Sequence, residues 1–425
     1  MRNADTIVIG GGLAGLSAAA SLARSGRRVT VLEGAEHLGG RARSRHVDGY
    51  DLNLGPHALY RAAGGARVLR DLGVELAGRQ PRLLRAGAYV GGEVVSWARL
   101  VRRGVHQRAR LAALLGGLGA GRAGALAGQP ASSWIESTLD DPGARAVAAS
   151  VLRTATYSAD LDRLDAGAAA RQLRAAMRGV LYLDGGWSRL VDQLADLVVA
   201  GGGEIVTGVR ASTIEHDDRV RAVHVVGGGT IETDAVVIAV TDPARALALM
   251  DGRGTDRFAA TVAETVPVRM AHLDVALRPL PAPRFPNVLG IDMPLYLTVQ
   301  SDVAAVAPPG GAVIHVGKYL RPSEEGGDHR GELESMLDVA QPAWRDHVVN
   351  ARYVPRSLVS GDHARPDTDG TTGRPTVDAL GVDGLMLAGD WIGPNGMIGD
   401  AAICSGAAAA ARLHSGVRRP AVLSR

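Results

Sequence analysis

The sequence predicts an α/β fold in which a parallel-sheet domain, gathered from separate stretches of chain, is interleaved with an α+β domain. Three observations carry this: a strand, glycine motif and alanine-rich helix at the N-terminus, a second strand–glycine–helix unit near the C-terminus, and alternating apolar stretches between them. The first unit reads TIVIGGGLAGLSAAASLA over residues 6–23. Thr6 to Ile9 are all β-branched, as suits a strand buried on both faces of a parallel sheet. Gly10, Gly12 and Gly15 form GxGxxG. The first permits a tight turn, the second lets backbone approach a pyrophosphate, and the third lets the helix pack closely on the strand. Leu13 and Ala14 open that helix, where free N–H groups and the helix dipole favour an anion. RRVTVLEG (27–34) then supplies a strand ending in Glu33, placed to accept from a ribose 2′-hydroxyl. Strand, glycines, helix, strand and acid in this order predict a Rossmann-like dinucleotide site.

Bulk composition narrows the class. At 425 residues, 46% of them hydrophobic and 21% charged, the chain can bury the core of two domains or of two that interleave. The formal charge of +3 does not call for a nucleic-acid partner, and no zinc spacing or RNA-binding motif is present. Lys318 is the sole lysine, so any mechanism needing one has a single candidate. Cys404 is the sole cysteine, which excludes an internal disulfide and suits a reducing compartment. No signal-peptide pattern and no apolar run of bilayer-spanning length are evident, so a cytoplasmic location is expected.

Beyond Glu33 come AEHLGGRARS (35–44) and GYDLNLGPHALY (49–60). Gly39 and Gly40 let backbone pass close to a ring or pyrophosphate, and Arg41 can offer guanidinium donors to phosphate or to an electron-rich ring. Here the chain resembles the flavin amine oxidase and phytoene desaturase superfamily, whose members follow the ribose acid with GGR and then a Gly-aromatic-Asp and Gly-Pro pattern, in this chain Gly49-Tyr50-Asp51 and Gly55-Pro56. A second match is GLMLAGDWIGPNGMIGDAAICSGAAAAARL (384–413). The resemblance implies that Gly389 and Asp390 meet ribityl or pyrophosphate oxygens. It also implies that the turn through Gly396, Met397 and Ile398, with Asp400, aims a helix N-terminus at the flavin C2 carbonyl, where the dipole favours negative charge. Many relatives carry Glu-Gly-Ala where this chain has Gly399-Asp400-Ala401. A third match, LYLDGGWSRLVDQLADLVVAGGGEIVTGVRASTIE (181–215), implies an adenine contact near Ala211.

The cofactor implied is non-covalent FAD. Covalent attachment needs the Cys-aromatic arrangement of monoamine oxidases, so Cys404 reads as a packed thiol. The expected architecture is a Rossmann-like FAD-binding domain (1–75, 180–245 and 370–425) interleaved with an α+β substrate domain (76–179 and 246–369). Within the latter, 76–179 reads as helical and basic. No acid occurs from Val94 to Ile135, while Arg99, Arg102, Arg103, Arg108, Arg110 and Arg122 interleave with apolar residues. That stretch is either a solvated face or a weak peripheral contact with anionic membrane. Gly116 to Gly128 reads as a loop or a lid. PVRMAHLDVALR (267–278) and PLYLTVQSD (294–302) alternate, as in an antiparallel sheet.

Among relatives the pattern looks most like desaturases of isoprenoid lipids, which pass a hydride from a saturated carbon to flavin N5 while a proton leaves. The expected partner is a small apolar substrate. His57 and Tyr60, just past GGR, are the candidates to take the proton. His57 would serve at its ordinary pKa, directed by the rigid Gly55-Pro56 turn. Two alternatives of the same fold stay open: a flavin amine oxidase, which resemblance associates with paired aromatics and a lysine-bridged water, and a redox-neutral flavin-dependent isomerase.

Overall fold

The computed structural model describes residues 5–82, 85–100, 120–251 and 256–416. The basic residues Arg102, Arg103, Arg108 and Arg110, and Gly116 of the glycine-rich stretch, lie outside the described residues.

Thr6–Ile9 sits at the centre of a five-stranded parallel sheet, between Val29–Leu32 and Val236–Ile238. Glu204–Val206 extends it beyond Val29–Leu32, and Leu385–Leu387 beyond Val236–Ile238. Every residue of Thr6–Ile9 and Val29–Leu32 is buried, which is why these segments are continuous apolar runs rather than alternating ones. Helix Leu13–Arg24 covers one face together with Ser188–Ala200 and Ile398–Gly416. The opposite face packs on an antiparallel three-stranded sheet formed by Ala211–His216, Val220–Val225 and Thr230–Glu232.

A seven-stranded sheet forms the second half. Its order is Val348–Ser360, Val268–Leu277, Ala312–Leu320, Leu295–Val299, Asn287–Gly290, Ala86–Val90 and Glu93–Ser96. All neighbours are antiparallel except Asn287–Gly290 and Ala86–Val90. The two alternating segments named above are therefore strands of one sheet, although Ala312–Leu320 lies between them. Side chains alternate strictly along Val268–Leu277: Ala271, Leu273, Val275 and Leu277 pack with Leu333, Met336 and Leu337 of helix Arg330–Ala340. Met270, His272 and Asp274 consequently face the other way.

The region 76–179 is not helical throughout, which corrects the sequence expectation. Ala86–Val90 and Glu93–Ser96 form a hairpin around Gly91 and Gly92, both with positive φ, and join the seven-stranded sheet. The Gly-Gly pair flanked by short β-forming runs is a hairpin signal in its own right. Helices Ala120–Ala125, Ala131–Thr138, Pro142–Thr156 and Ala166–Met177 contribute to its helical core. No helix among the described residues is long and apolar enough to cross a membrane.

The two helices that meet the glycine motif touch backbone to backbone. A Cβ at Gly406 would overlap the Ala14 carbonyl oxygen, so Ile398–Gly416 lies against Leu13–Arg24 only because Gly406 has no side chain. Gly406→Ala is expected to lower stability by about 1–3 kcal/mol, the usual cost of overpacking a tight contact. A fall in the denaturation midpoint checks this; an unchanged midpoint refutes it.

Candidate functional site

A cavity of about 630 Å3 is lined from both halves, with strand ends and glycine turns of the parallel sheet at one end and the inner face of the seven-stranded sheet at the other. At the nucleotide end, helix Leu13–Arg24 begins at Gly12, which is extended and carries no side-chain cap. Its first N–H groups are thus left for a ligand. The three motif glycines do different work. A Cβ on Gly10 would overlap Ala239 O, and one on Gly15 would overlap Gly10 O, so both are demanded by packing. A Cβ on Gly12 would meet nothing nearer than Gly39 O at 3.9 Å, so the space beside Gly12 is open for a phosphate. Gly39 N donates to Gly11 O at 2.8 Å, which draws the GGR turn onto the motif. Glu33 accepts from Gly11 N (2.7 Å, Oε2) and Ala35 N (2.8 Å, Oε1), and each oxygen keeps a lone pair for a ribose hydroxyl.

Of the residues singled out in the sequence, Gly10, Gly12, Leu13, Ala14, Glu33, Gly39, Gly40 and Ala211 line this end. Arg41, Pro56, His57, Tyr60, Gly389, Ile398 and Asp400 line the remainder. Gly15, Gly55, Asp390, Gly396 and Met397 are not on the wall. Met397 is buried in the helical core instead.

Asp390 corrects an expectation. It is fully buried, its Oδ2 accepts from Arg41 Nη1 (2.8 Å) and Gly361 N (3.2 Å), and its Oδ1 is sealed with no partner. Its carboxylate therefore stands behind the wall, holding Arg41 in place, rather than facing ribityl or phosphate oxygens. Arg41 Nη1 also donates to Val359 O at 2.6 Å, so that nitrogen is committed to protein while the rest of the guanidinium borders the cavity. Asp400 lies in the first turn of Ile398–Gly416 and accepts from Gly65 N. Burial raises its pKa. Ile398, a β-branched residue held at φ 56°, opens the same helix on the cavity wall, the kind of backbone strain that collects at functional sites.

Neither expected proton acceptor is free to act. His57 sets Nδ1 against Gly55 O (2.9 Å) and Nε2 against Arg41 O (3.1 Å), so no lone pair is offered to the cavity. Burial pushes its pKa down to about 4, away from the ordinary value assumed from the sequence. The neutral ring donates to one of these two carbonyls and packs against the other, filling the space between the Gly55 turn and the GGR turn, and it rests edge-on against Trp187, centroids 4.9 Å apart. Tyr60 donates to Ala155 O at 2.6 Å, and burial pushes its pKa well above the usual phenol range. Cys404 is a packed thiol, with burial raising its pKa to about 12.

Other wall residues were not singled out beforehand. His272 and Arg352 come from adjacent strands of the seven-stranded sheet, and Arg210 stands beside Ala211. The His-x-Asp spacing of His272 and Asp274 on an alternating strand was the available signal, since it places both on one face.

The fold-level comparisons agree with this geometry. The family model described as "Flavin containing amine oxidoreductase" matches residues 13–261, more than half of the 425 residues. The chain belongs to this flavin-containing amine oxidoreductase family. It is 39% identical to a phytoene desaturase of Fusarium fujikuroi over 81 residues, 19% of this chain and 14% of that protein. It is 48% identical to the (S)-6-hydroxynicotine oxidase of Paenarthrobacter nicotinovorans over 60 residues, 13% of this chain and 14% of that one. The matched stretches thus span about one seventh of these relatives' length. Among solved structures, an oxidoreductase from Methanosarcina mazei superposes with a TM-score of 0.76 at 20% identity, covering 96% of this chain and 99% of its own. The cyclohexylamine oxidase of Brevibacterium oxydans superposes with a TM-score of 0.66 at 16% identity, covering 98% and 100%. The cofactor that the family carries is a flavin, FAD. This chain's own residues fit that cofactor: an uncapped helix N-terminus, an open space beside Gly12 and the Glu33 carboxylate lie along one wall.

Two outcomes are expected. Gly12→Ala should weaken FAD binding while leaving the apoprotein's denaturation midpoint unchanged, whereas Gly15→Ala should lower both. Equal behaviour of the two variants would contradict the division of roles. The second concerns pH. His57 and His363 both have folded pKa values near 4, below the 6.5 of an unperturbed histidine, because burial disfavours their charged forms. The unfolded chain therefore binds protons more readily. Their contribution to stability is complete above about pH 6.5 and is lost as pH falls toward 4. Urea denaturation at pH 7 and pH 5 should show this loss, and His57→Gln or His363→Gln should flatten it.

Proposed function

We propose that this oxidoreductase desaturates an apolar, isoprenoid- or polyene-like substrate. The observation that carries the reading is the character of the cavity beyond Arg41. Its wall is built from Leu54, Ala58, Leu59, Met270, Val354 and Leu358, a surface suited to a hydrocarbon chain. When bound there, FAD supplies a hydride acceptor at N5. The protein's part is to hold the chain, exclude water and remove a proton. Tyr60 and Tyr157 both border the cavity, and their hydroxyls are spent on Ala155 O and Pro56 O, at 2.6 and 3.0 Å. They present ring rather than hydroxyl to a substrate.

The lysine separates this reading from amine oxidation. Lys318 lies on the strand Ala312–Leu320 opposite Ala271 and Leu295, residues of the outer core, and so points away from the cavity. Its Nζ meets Glu332 at 2.7 Å and Glu324 at 3.0 Å. A lysine-held water has no source on the described wall. The phytoene desaturase and a carotenoid 3,4-desaturase of Haloarcula japonica, 52% identical over 52 residues, point the same way, while the nicotine oxidase points to amines.

The purified protein should be yellow and should release FAD into the supernatant on acid precipitation. Mixed anaerobically with isoprenoid polyenes, it should lose its visible flavin band while the substrate loses two hydrogens. Bleaching by primary or secondary amines but not by polyenes would replace this reading with amine oxidation, and a product of unchanged mass would replace it with isomerisation.

A further inference from the structure

The seven-stranded sheet carries a buried charged cluster on its cavity face. Asp274 takes His315 Nδ1 at 2.7 Å and His272 Nδ1 at 3.1 Å. All three side chains are at most 2% exposed. Strand geometry dictates the arrangement: His272 and Asp274 are two residues apart on Val268–Leu277, and His315 is the direct cross-strand partner of Asp274 on Ala312–Leu320. Burial alone would raise the Asp274 pKa, but the two histidines outweigh it and hold it well below the usual carboxylate range. An ionised carboxylate only accepts, so both rings turn Nδ1–H toward it, and Nε2 is the ring nitrogen that each leaves for another partner.

The two rings differ in what their Nε2 meets. That of His315 is buried with no partner. His272 borders the cavity, and its Cδ2–Nε2 edge lies against Gly55: a Cβ built there would stand 3.4 Å from Cδ2 and 3.5 Å from Nε2. The glycine brings backbone rather than a side chain against the ring, which is 1% exposed and meets the cavity as part of its wall. The charged and titratable groups around the ring are Asp274 on its own strand, His315 on the next, Arg352 opposite Asp274 on Val348–Ser360, and His57 from the loop following Gly55. Of these His57 is occupied by backbone carbonyls, as described above.

We propose that His272 Nε2 is the proton acceptor of the reaction, with Asp274 and His315 as positioning residues that fix its tautomer and offset the charge it gains. The proposal rests on the desaturation reading. One C–H bond of the substrate is lost as hydride to FAD. The neighbouring carbon gives its proton to His272 Nε2, and the electron pair of that second C–H bond becomes the new C=C bond. The substrate is oxidised, FAD is reduced, and His272 becomes an imidazolium against the Asp274 carboxylate, so no unpaired charge is created in the buried cluster.

The test uses the FAD-loaded protein. His272→Gln should keep its FAD content and visible spectrum, reduce its flavin about 100-fold or more slowly with polyene, the usual scale for a general base, and lose the limb of the wild-type pH profile on which reduction rises with pH. Asp274→Asn should shift that limb rather than abolish it. Proton NMR of the wild type should show two far-downfield imidazole N–H signals, both absent in Asp274→Asn and one absent in His272→Gln; their absence from the wild type overturns the positioning role whatever the activity. Polyene reduction in His272→Gln at the wild-type rate with the same pH limb overturns the proposal while leaving the desaturation reading intact. Wild-type protein bleached by amines and not by polyenes overturns both. If His272→Gln retains no FAD, Asp274→Asn decides, because an unmoved limb there excludes proton transfer to this ring.

Discussion

Three remote parts of the chain meet at one buried carboxylate. Asp390, wholly inaccessible, joins Arg41 of the GGR turn and the backbone N–H of Gly361 at the end of the long strand Val348–Ser360, while Arg41 also reaches Val359 O. An unpaired carboxylate in that position would cost several kcal/mol, so the partners cannot drift apart without exposing a buried charge. The parallel sheet that supplies the nucleotide end and the seven-stranded sheet that supplies the opposite wall are thereby held in one relative placement. Arg41 is itself on the cavity wall, so the pair fixes one of the surfaces that the cavity presents.

The glycine contacts act in the same sense at shorter range. Gly15 against Gly10 and Gly406 against Ala14 bring a strand and two helices to backbone distance, so the helix beginning at Gly12 and the helix beginning at Ile398 lie side by side at the cavity. The helix beginning at Gly12 presents its uncapped N–H groups to that space, where its dipole favours an anion. Close backbone packing explains the glycine and alanine richness of these segments better than conformational freedom does.

What could be read from the sequence divides along physical lines. The strand–glycine–helix units were legible because each is a local pattern whose cause lies within about thirty residues, as for any βαβ unit. Tertiary roles were not. His57 follows a Gly-Pro turn on the cavity wall, but its chemistry depends on Arg41 O and Gly55 O, and no local pattern reports that a ring will be closed off by two carbonyls. Asp390 reads as a site residue from its local motif, but the side chain it pairs with, Arg41, lies 349 positions away and no local pattern announces it. The hairpin at Gly91-Gly92 was readable and was overshadowed by the arginine-rich run after it.

The His272–Asp274 pair shows where such reading could go further. In PVRMAHLDVALR the apolar alternation marks a strand, and the two polar residues occupy one parity of it, set apart from Ala271, Leu273, Val275 and Leu277. Beyond Arg269, which pairs with Glu325, the outer parity of this strand is aliphatic and has already found its core, so the polar groups on the other parity must be buried against something else. Here that is a cross-strand histidine and a ligand cavity. The same parity places Lys318 with the aliphatic side, one residue from Tyr319 and three from His315, and so removes it from the chemistry. Sheet parity alone thus sorts the titratable groups of these two strands into those that can face a substrate and those that cannot.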